Sequence, residues 1–173
     1  MPSDFHHIAD SDTVKKILLR LNNDGTIRRL KRGIYEYPEY SAFLKEYREP
    51  SPKKIANAIA RNFGWSIIPS DNTALNLLGL STQVPATWEY VSNGPYKNYT
   101  LGKIKISFKH TSNKEITGMS PKSALVIQAV KALGKDNSST AITHLSKTLT
   151  QEKKFDYLKK LNILHHGFMR LSK

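Results

Sequence analysis

Apolar and polar positions alternate with a helical period near the start of the chain. Val14, Ile17, Leu18 and Leu21 fall at i, i+3, i+4 and i+7, which gathers them into one buried stripe. Lys15, Lys16 and Leu19 fall opposite, with Thr13 and Arg20 at the flank. Asp10-Ser11-Asp12 supplies capping oxygens for a helix predicted from Asp12 to Asn22, and Gly25 takes the left-handed position that ends it. Ahead of it, Ser3 to Ile8 reads as a short helical turn capped by Ser3, with Phe5 and Ile8 on its inner side. The period then shortens. Thr26 to Leu30 and Ile34 to Tyr37 read as two strands, joined by the turn Lys31-Arg32-Gly33, where glycine admits the φ > 0 that a tight hairpin needs.

Prolines at 38, 50 and 52 mark a linker or boundary, with room for a short helix through Ala42-Phe43-Leu44. Ser51-Pro52 opens a helix that runs to Phe63, buries Ile55, Ile59 and Phe63, and closes at Gly64. Trp65 to Ile68 reads as a buried strand. Ser70 or Asp71 caps a short helix through Ala74, Leu75 and Leu78, ended by Gly79. Ala86 to Val91 is a further strand, and Asn93-Gly94 is a hairpin signal that would pair it with Lys97 to Leu101. After Gly102 the chain alternates cleanly, Ile104, Ile106 and Phe108 on one face and Lys103, Lys105, Ser107 and Lys109 on the other. Ser120-Pro121 starts a helix that Gly134 stops, and Ser138 to Leu149 and Glu152 to Leu164 continue as helices.

These elements predict an α+β protein. Residues 1–48 form a shortened winged helix-turn-helix module whose first helix is missing. Residues 50–173 form a larger mixed α/β domain with a small antiparallel sheet and C-terminal helices.

Charge adds a partner. The net charge is +13, distributed as +2 over residues 1–48, +1 over 49–99 and +10 over 100–173. An excess of this size attracts polyanions, most simply nucleic acid. Arg28, Arg29, Lys31 and Arg32 lie within five residues. They either contact phosphates as the wing of a winged helix or form the solvated face of an ordinary hairpin. In the first case the N-terminal half of the preceding helix would enter the major groove and bring Ser11, Asp12, Lys15 and Lys16 nearest the bases. The period-2 lysines Lys103, Lys105 and Lys109 offer a second basic surface, or else guard a sheet edge.

Signals for catalysis are poor. The 14 acidic residues are scattered, and there is no G-x-S-x-G elbow, H-E-x-x-H zinc motif, G-x-x-x-x-G-K-[ST] loop or G-x-G-x-x-G fingerprint. His6-His7 and His165-His166 are adjacent in sequence, so their side chains diverge, while His110 and His144 lack a recognisable partner. Tyr35, Tyr37, Trp65, Trp88 and Tyr90 suit a core better than a stacking platform. The chain contains no cysteine, which excludes disulfides and thiolate zinc sites. No run approaches the ~20 apolar residues of a membrane span. The expectation is a cytoplasmic protein that is not an enzyme and uses no cofactor or metal.

Asp4-Phe5, the Val14 to Leu21 helix, Asp24-Gly25-Thr26-Ile27-Arg28-Arg29-Leu30 and Arg32-Gly33-Ile34-Tyr35 together resemble the N-terminal winged helix of AbiEi-type antitoxins. The stretch Ala74-Leu75-Asn76-Leu77-Leu78-Gly79-Leu80-Ser81-Thr82-Gln83-Val84-Pro85 is similar to that family's A-x-x-x-L-G-L-[ST]-x-Q-x-P signature. The similarity runs from Phe5 to about Gly134. It implies a type IV toxin–antitoxin system associated with abortive infection of phage-infected bacteria. In such systems the antitoxin represses its own operon by binding double-stranded promoter DNA, and opposes a nucleotidyltransferase-like toxin without a stable complex. A palindromic operator would suit a homodimer. The resemblance carries over no catalytic residues; it matches the basic hairpin and the helix before it. A module that neutralises a partner toxin by direct binding is the alternative.

Overall fold

The computed structural model describes residues 1–112 and 120–148, with side chains through residue 134. The helix expected over Glu152 to Leu164 lies outside them, as do His165 and His166. A 3-10 turn at Pro2–Phe5 leads to α1, Ser11–Asn23. Asp10, the first of the three predicted capping residues, accepts from the Asp12 and Thr13 amides through Oδ1, both at 3.0 Å. A hydrogen bond from the Thr13 hydroxyl holds the Asp10 carboxyl below its ordinary range. Val14 and Leu18 are buried, whereas Ile17 at the margin of the stripe is exposed. Phe5 and Ile8 are exposed as well, against the expected inner side, and Met1 rather than Ser3 occupies the cap position of the first turn.

Two small hairpins follow. β1, Arg28–Lys31, pairs antiparallel with β2, Ile34–Glu36, around a tight turn at Arg32-Gly33 where Gly33 has φ 80°. β3, Tyr40–Ser41, pairs with β4, Glu46–Tyr47. The predicted helix at Ala42-Phe43-Leu44 is instead the turn of this second hairpin, held by the Leu44 amide donating to Ser41 Oγ at 3.3 Å. The turn is completed by Lys45 at φ 53°, a backbone state incompatible with helix.

α2, Pro52–Phe63, has the predicted limits, with Ser51 Oγ accepting from the Lys54 amide and Gly64 left-handed at φ 66°. Phe63 is not buried; it lies exposed and stacks on Trp65 at 4.8 Å between ring centres. The main sheet contains β5, Ile67–Pro69, β6, Trp88–Ser92, β7, Lys97–Leu101, and β8, Ile104–His110, in the order β5-β6-β8-β7. α3, Asp71–Leu77, follows β5, and α4, Pro121–Thr148, breaks at Gly134, which has φ 71°.

The sheet is mixed, which corrects the antiparallel sheet expected from Asn93-Gly94. β6 runs parallel to β8, with Tyr90 opposite Phe108, and β7 reaches β8 through the Gly102 hairpin. A two-residue hairpin turn of the usual kind requires φ > 0 at both central residues, and neither Asn93 nor Gly94 has it. Asn93 Oδ1 instead accepts from the Ser66 amide at 2.8 Å, and Ser92 Oγ accepts from the Gly94 amide at 2.9 Å. Gly94 lies so close to the Trp65 ring that an added Cβ would sit 2.4 Å from it. The four residues after β6 then step across the end of β8. Two strand spacings, about 10 Å, are within their reach of roughly 13 Å.

One face of the sheet carries Tyr90, Ile106 and Phe108, all at most 1% exposed, and α2 covers it with Ile55, Ala56 and Ile59. Ile34 of β2 belongs to this same core, and Met1 and Leu30 pack against it. The core therefore joins residues on both sides of the boundary expected at 48–50. On the opposite face Ile68 and Val91 meet Ala124 of α4, and α3 packs on α4 through Ala74, Leu75 and Ala129.

Candidate nucleic-acid interface

The end of α1 and the start of β1 are tied together by short-range hydrogen bonds. The Ile27 amide donates to the Leu21 carbonyl at 3.2 Å, and the Arg29 amide to Asn22 Oδ1 at 2.9 Å. Ile34, buried against α2 and the main sheet, seats the hairpin on the core, and these two hydrogen bonds join it to the helix. A β-bulge at Leu30 shifts the register between Arg29 and Lys31. Arg29, Lys31 and Arg32 are all exposed, and none of them has a carboxylate partner among the described residues.

Arg28 is different. Its Nε and Nη2 both donate to Glu36 Oε2, at 3.1 and 2.8 Å, and Nη2 also donates to the Arg48 carbonyl at 3.1 Å. Arg28 and Glu36 are direct cross-strand partners, so the guanidinium is spent on bracing the hairpin. Lys31 Nζ sits 5.6 Å from the centre of the Tyr99 ring, a cation–π contact that brings the hairpin to the edge strand β7. Burial pushes the Tyr99 hydroxyl pKa up.

Along α1, Ser11, Lys15 and Lys16 are exposed. Lys15 pairs with Asp12 at 3.0 Å, and Asp10 and Asp12 place two carboxylates at the helix start. The cationic part of this surface is thus the hairpin with Lys16, not the first turn of the helix. The second basic stripe divides in the same way. Lys103 and Lys105 are exposed, but Lys109 bridges Glu89 at 2.9 Å and Asp71 at 3.0 Å. The hydrogen bond to Glu89, then that to Asp71, raises the Lys109 pKa. Lys109 clamps the start of α3 to the sheet, leaving two lysines of the stripe facing solvent.

Asn22, Glu36 and Tyr99 organise this surface and were not singled out by sequence patterns. A turn centred on Arg32-Gly33 would set Glu36 opposite Arg29; the bulge at Leu30 shifts the register by one and gives it Arg28 instead. His110, for which the sequence suggested no partner, lies with Nδ1 2.9 Å from the Gly94 carbonyl. Among the described residues no group of His, Asp and Glu is arranged to hold a metal ion, and no helix is long and apolar enough to cross a membrane.

A sequence profile for a family of unknown function, DUF6088, matches residues 1–157. The chain belongs to the DUF6088 family. No curated protein and no solved structure matches it. The family match covers the helix, both small hairpins, the sheet and α4 together, so the basic hairpin and the sheet it packs on belong to one family unit.

Proposed function

We propose that the chain is a DNA-binding antitoxin and transcriptional autorepressor of a type IV toxin–antitoxin system. It acts in the cytoplasm against a nucleotidyltransferase-like toxin, without a stable complex. The observation that carries this reading is the hydrogen-bonded junction of α1 with a hairpin whose Arg29, Lys31 and Arg32 are exposed and have no carboxylate partner among the described residues. In a winged helix-turn-helix arrangement α1 faces the major groove, and β1–β2 lies along the backbone with these three cations on phosphates. Lys16 and Ser11 approach the groove. Lys15 exchanges Asp12 for a phosphate or stays outside the contact, and Arg28 positions the hairpin. Lys103 and Lys105 extend the field that draws the duplex in.

Gel-shift titration with the chain's own promoter tests this reading. The expected result is tighter binding to that promoter than to random DNA at moderate salt; equal affinity for both would remove autorepression. Replacing Arg29, Lys31 and Arg32 with alanine should weaken binding to every sequence and lower the salt slope by up to about three. An unchanged slope would take the hairpin out of the interface.

Direct neutralisation of a toxin is the second reading. It is favoured by how much of the fold, from α2 through the sheet to α4, lies outside the helix–hairpin unit. Co-purification with the product of the neighbouring gene is its test, and repeated failure to co-purify counts against it.

A further inference from the structure

Between Tyr37 and Tyr47 the chain puts five large apolar or aromatic side chains into solvent: Tyr37, Tyr40, Phe43, Leu44 and Tyr47. Phe43 is 94% exposed and Leu44 59%, both at the tip of the β3–β4 hairpin. The two strands are two residues long and pair only with each other. Tyr40 and Tyr47 meet edge to face at 5.4 Å. They line, with Tyr37 and Arg48, an open groove of about 690 Å³. A lone hairpin of this length is marginal in water, and clustered exposed apolar side chains mark a contact surface.

The charges around the hairpin indicate what covers it. Two copies of a chain carrying +13 repel one another, chiefly through residues 100–173, which hold +10 of it. Here, however, the three carboxylates Glu39, Glu46 and Glu49 stand among the four cations Lys45, Arg48, Lys53 and Lys54, close to neutrality. Glu39 is engaged within the protomer, by Lys54 at 2.6 Å and Arg48 at 4.0 Å. That leaves Lys45, Glu46 and Glu49 at the rim with both signs on offer. A nucleic acid gains little from cations already matched by carboxylates. An identical patch approaching about a two-fold axis meets little net repulsion, and the Lys45 of each copy finds a carboxylate on the other.

We propose that the β3–β4 hairpin is a self-complementary dimer interface, with Phe43 and Leu44 of each protomer entering the Tyr37–Tyr40–Tyr47 groove of a second copy of this chain. Lys45 then faces the carboxylates of Glu46 and Glu49 across the axis. The inference stands independently of DNA binding. If both hold, the dimer sets two helix–hairpin units on one palindromic site.

Sedimentation of the full chain over a wide concentration series should show a reversible dimer. Phe43→Asp combined with Leu44→Asp should raise its dissociation constant at least about a hundredfold. Circular dichroism should stay unchanged, because both side chains are outside the core. Val84→Asp, at a site 76% exposed elsewhere on the chain, should dimerise like the parent. Because the chain has no cysteine, Phe43→Cys provides a clean probe, and mild oxidation should cross-link it faster than Val84→Cys. A parent that stays monomeric, a dimer indifferent to the tip charges, or equal cross-linking at both sites would each overturn the proposal. A monomeric parent whose tip variant no longer protects cells from the toxin would assign the surface to the toxin instead. Loss of promoter preference with the dimer intact would sink the functional reading alone.

Discussion

The chain contains two small hairpins in succession, separated by three residues, and they are built on opposite plans. β1–β2 inserts Ile34, 4% exposed, into the core beneath α2 and the main sheet, and lays Leu30 beside it. Its cations are carried on an anchored platform, braced by Arg28–Glu36 and stitched to α1 through Asn22. β3–β4 buries only Ser41 and turns its aromatic side chains outward. The first hairpin has apolar residues that face the protein and charges that face water. The second has nearly balanced charges and apolar residues that the described residues leave exposed. Similar backbone pieces therefore do different work according to which side chains the core takes up.

The largest test of this contrast is stability. Ile34→Ala should cost about 3 kcal/mol in urea unfolding, within the roughly 2–5 kcal/mol range for truncating a buried aliphatic. Phe43→Ala, measured at a concentration where the chain is monomeric, should stay within about 0.5 kcal/mol. Comparable losses at the two sites would erase the distinction. A smaller effect concerns the brace: a double-mutant cycle on Arg28 and Glu36 should give a coupling of about 0.5–1 kcal/mol, since the pair is only partly shielded. A coupling near zero would mean that burial of Ile34 alone holds the hairpin.

Acid should separate the two regions as well. On the anchored side, Arg61 donates to Asp4 through Nε and Nη2 at 2.9 and 2.8 Å. That guanidinium, with help from the terminal amine, holds the Asp4 carboxyl well below its usual 3.8. A depressed carboxyl contributes stability that is complete above its unfolded value and lost as pH falls through the folded one. Thermal midpoints should therefore fall below pH 3.8 more steeply for the parent than for Asp4→Asn. The substitution itself should cost roughly 1 kcal/mol or less at neutral pH, because Arg61 is well exposed. A parallel pH profile would remove the clasp. Glu39, beside the second hairpin, is also held below its ordinary range, by the Lys54 hydrogen bond first; being fully exposed, that pair should fade with added salt.

The smallest expected effect lies in the core itself. The Tyr90 hydroxyl is buried without a hydrogen-bond partner among the described residues, and burial pushes its pKa up to about 12. Tyr90→Phe should change stability by no more than about 1 kcal/mol, in the stabilising direction if at all. A clear loss on this substitution would point to a partner for the hydroxyl.

Local chemistry was legible wherever one residue type has one structural use. Ser51-Pro52 and Gly64 marked the ends of α2, Asp10 to Asp12 marked the start of α1, and Gly33 and Gly102 marked turns that the backbone makes at positive φ. The alternation from Ile104 to Phe108 placed the right residues in the core. Asn93-Gly94 misled because its usual turn depends on positive φ, and the chain there is held otherwise by Ser66 and Trp65 from a distant segment. Phe5, Ile8 and Phe63 misled because an apolar side chain is assumed to be buried when nothing in the sequence shows that the surface above it is open.

By itself, then, the sequence determined the limits of α1 and α2, the turns at Gly33 and Gly102, the amphipathic face of β8, and a strongly basic net charge. These follow from backbone preferences and composition, which act over a few residues or over the whole chain at once. Only tertiary structure decided that β6 lies parallel to β8, that the first hairpin is seated in the main core, and that, among the described residues, carboxylates engage Arg28 and Lys109 but not Arg29 and Arg32. Those outcomes depend on pairings such as Lys109 with Asp71 and Glu89. A strand's partner and a cation's counter-ion are chosen by what the fold brings within a few ångströms, and sequence spacing carries no record of that choice.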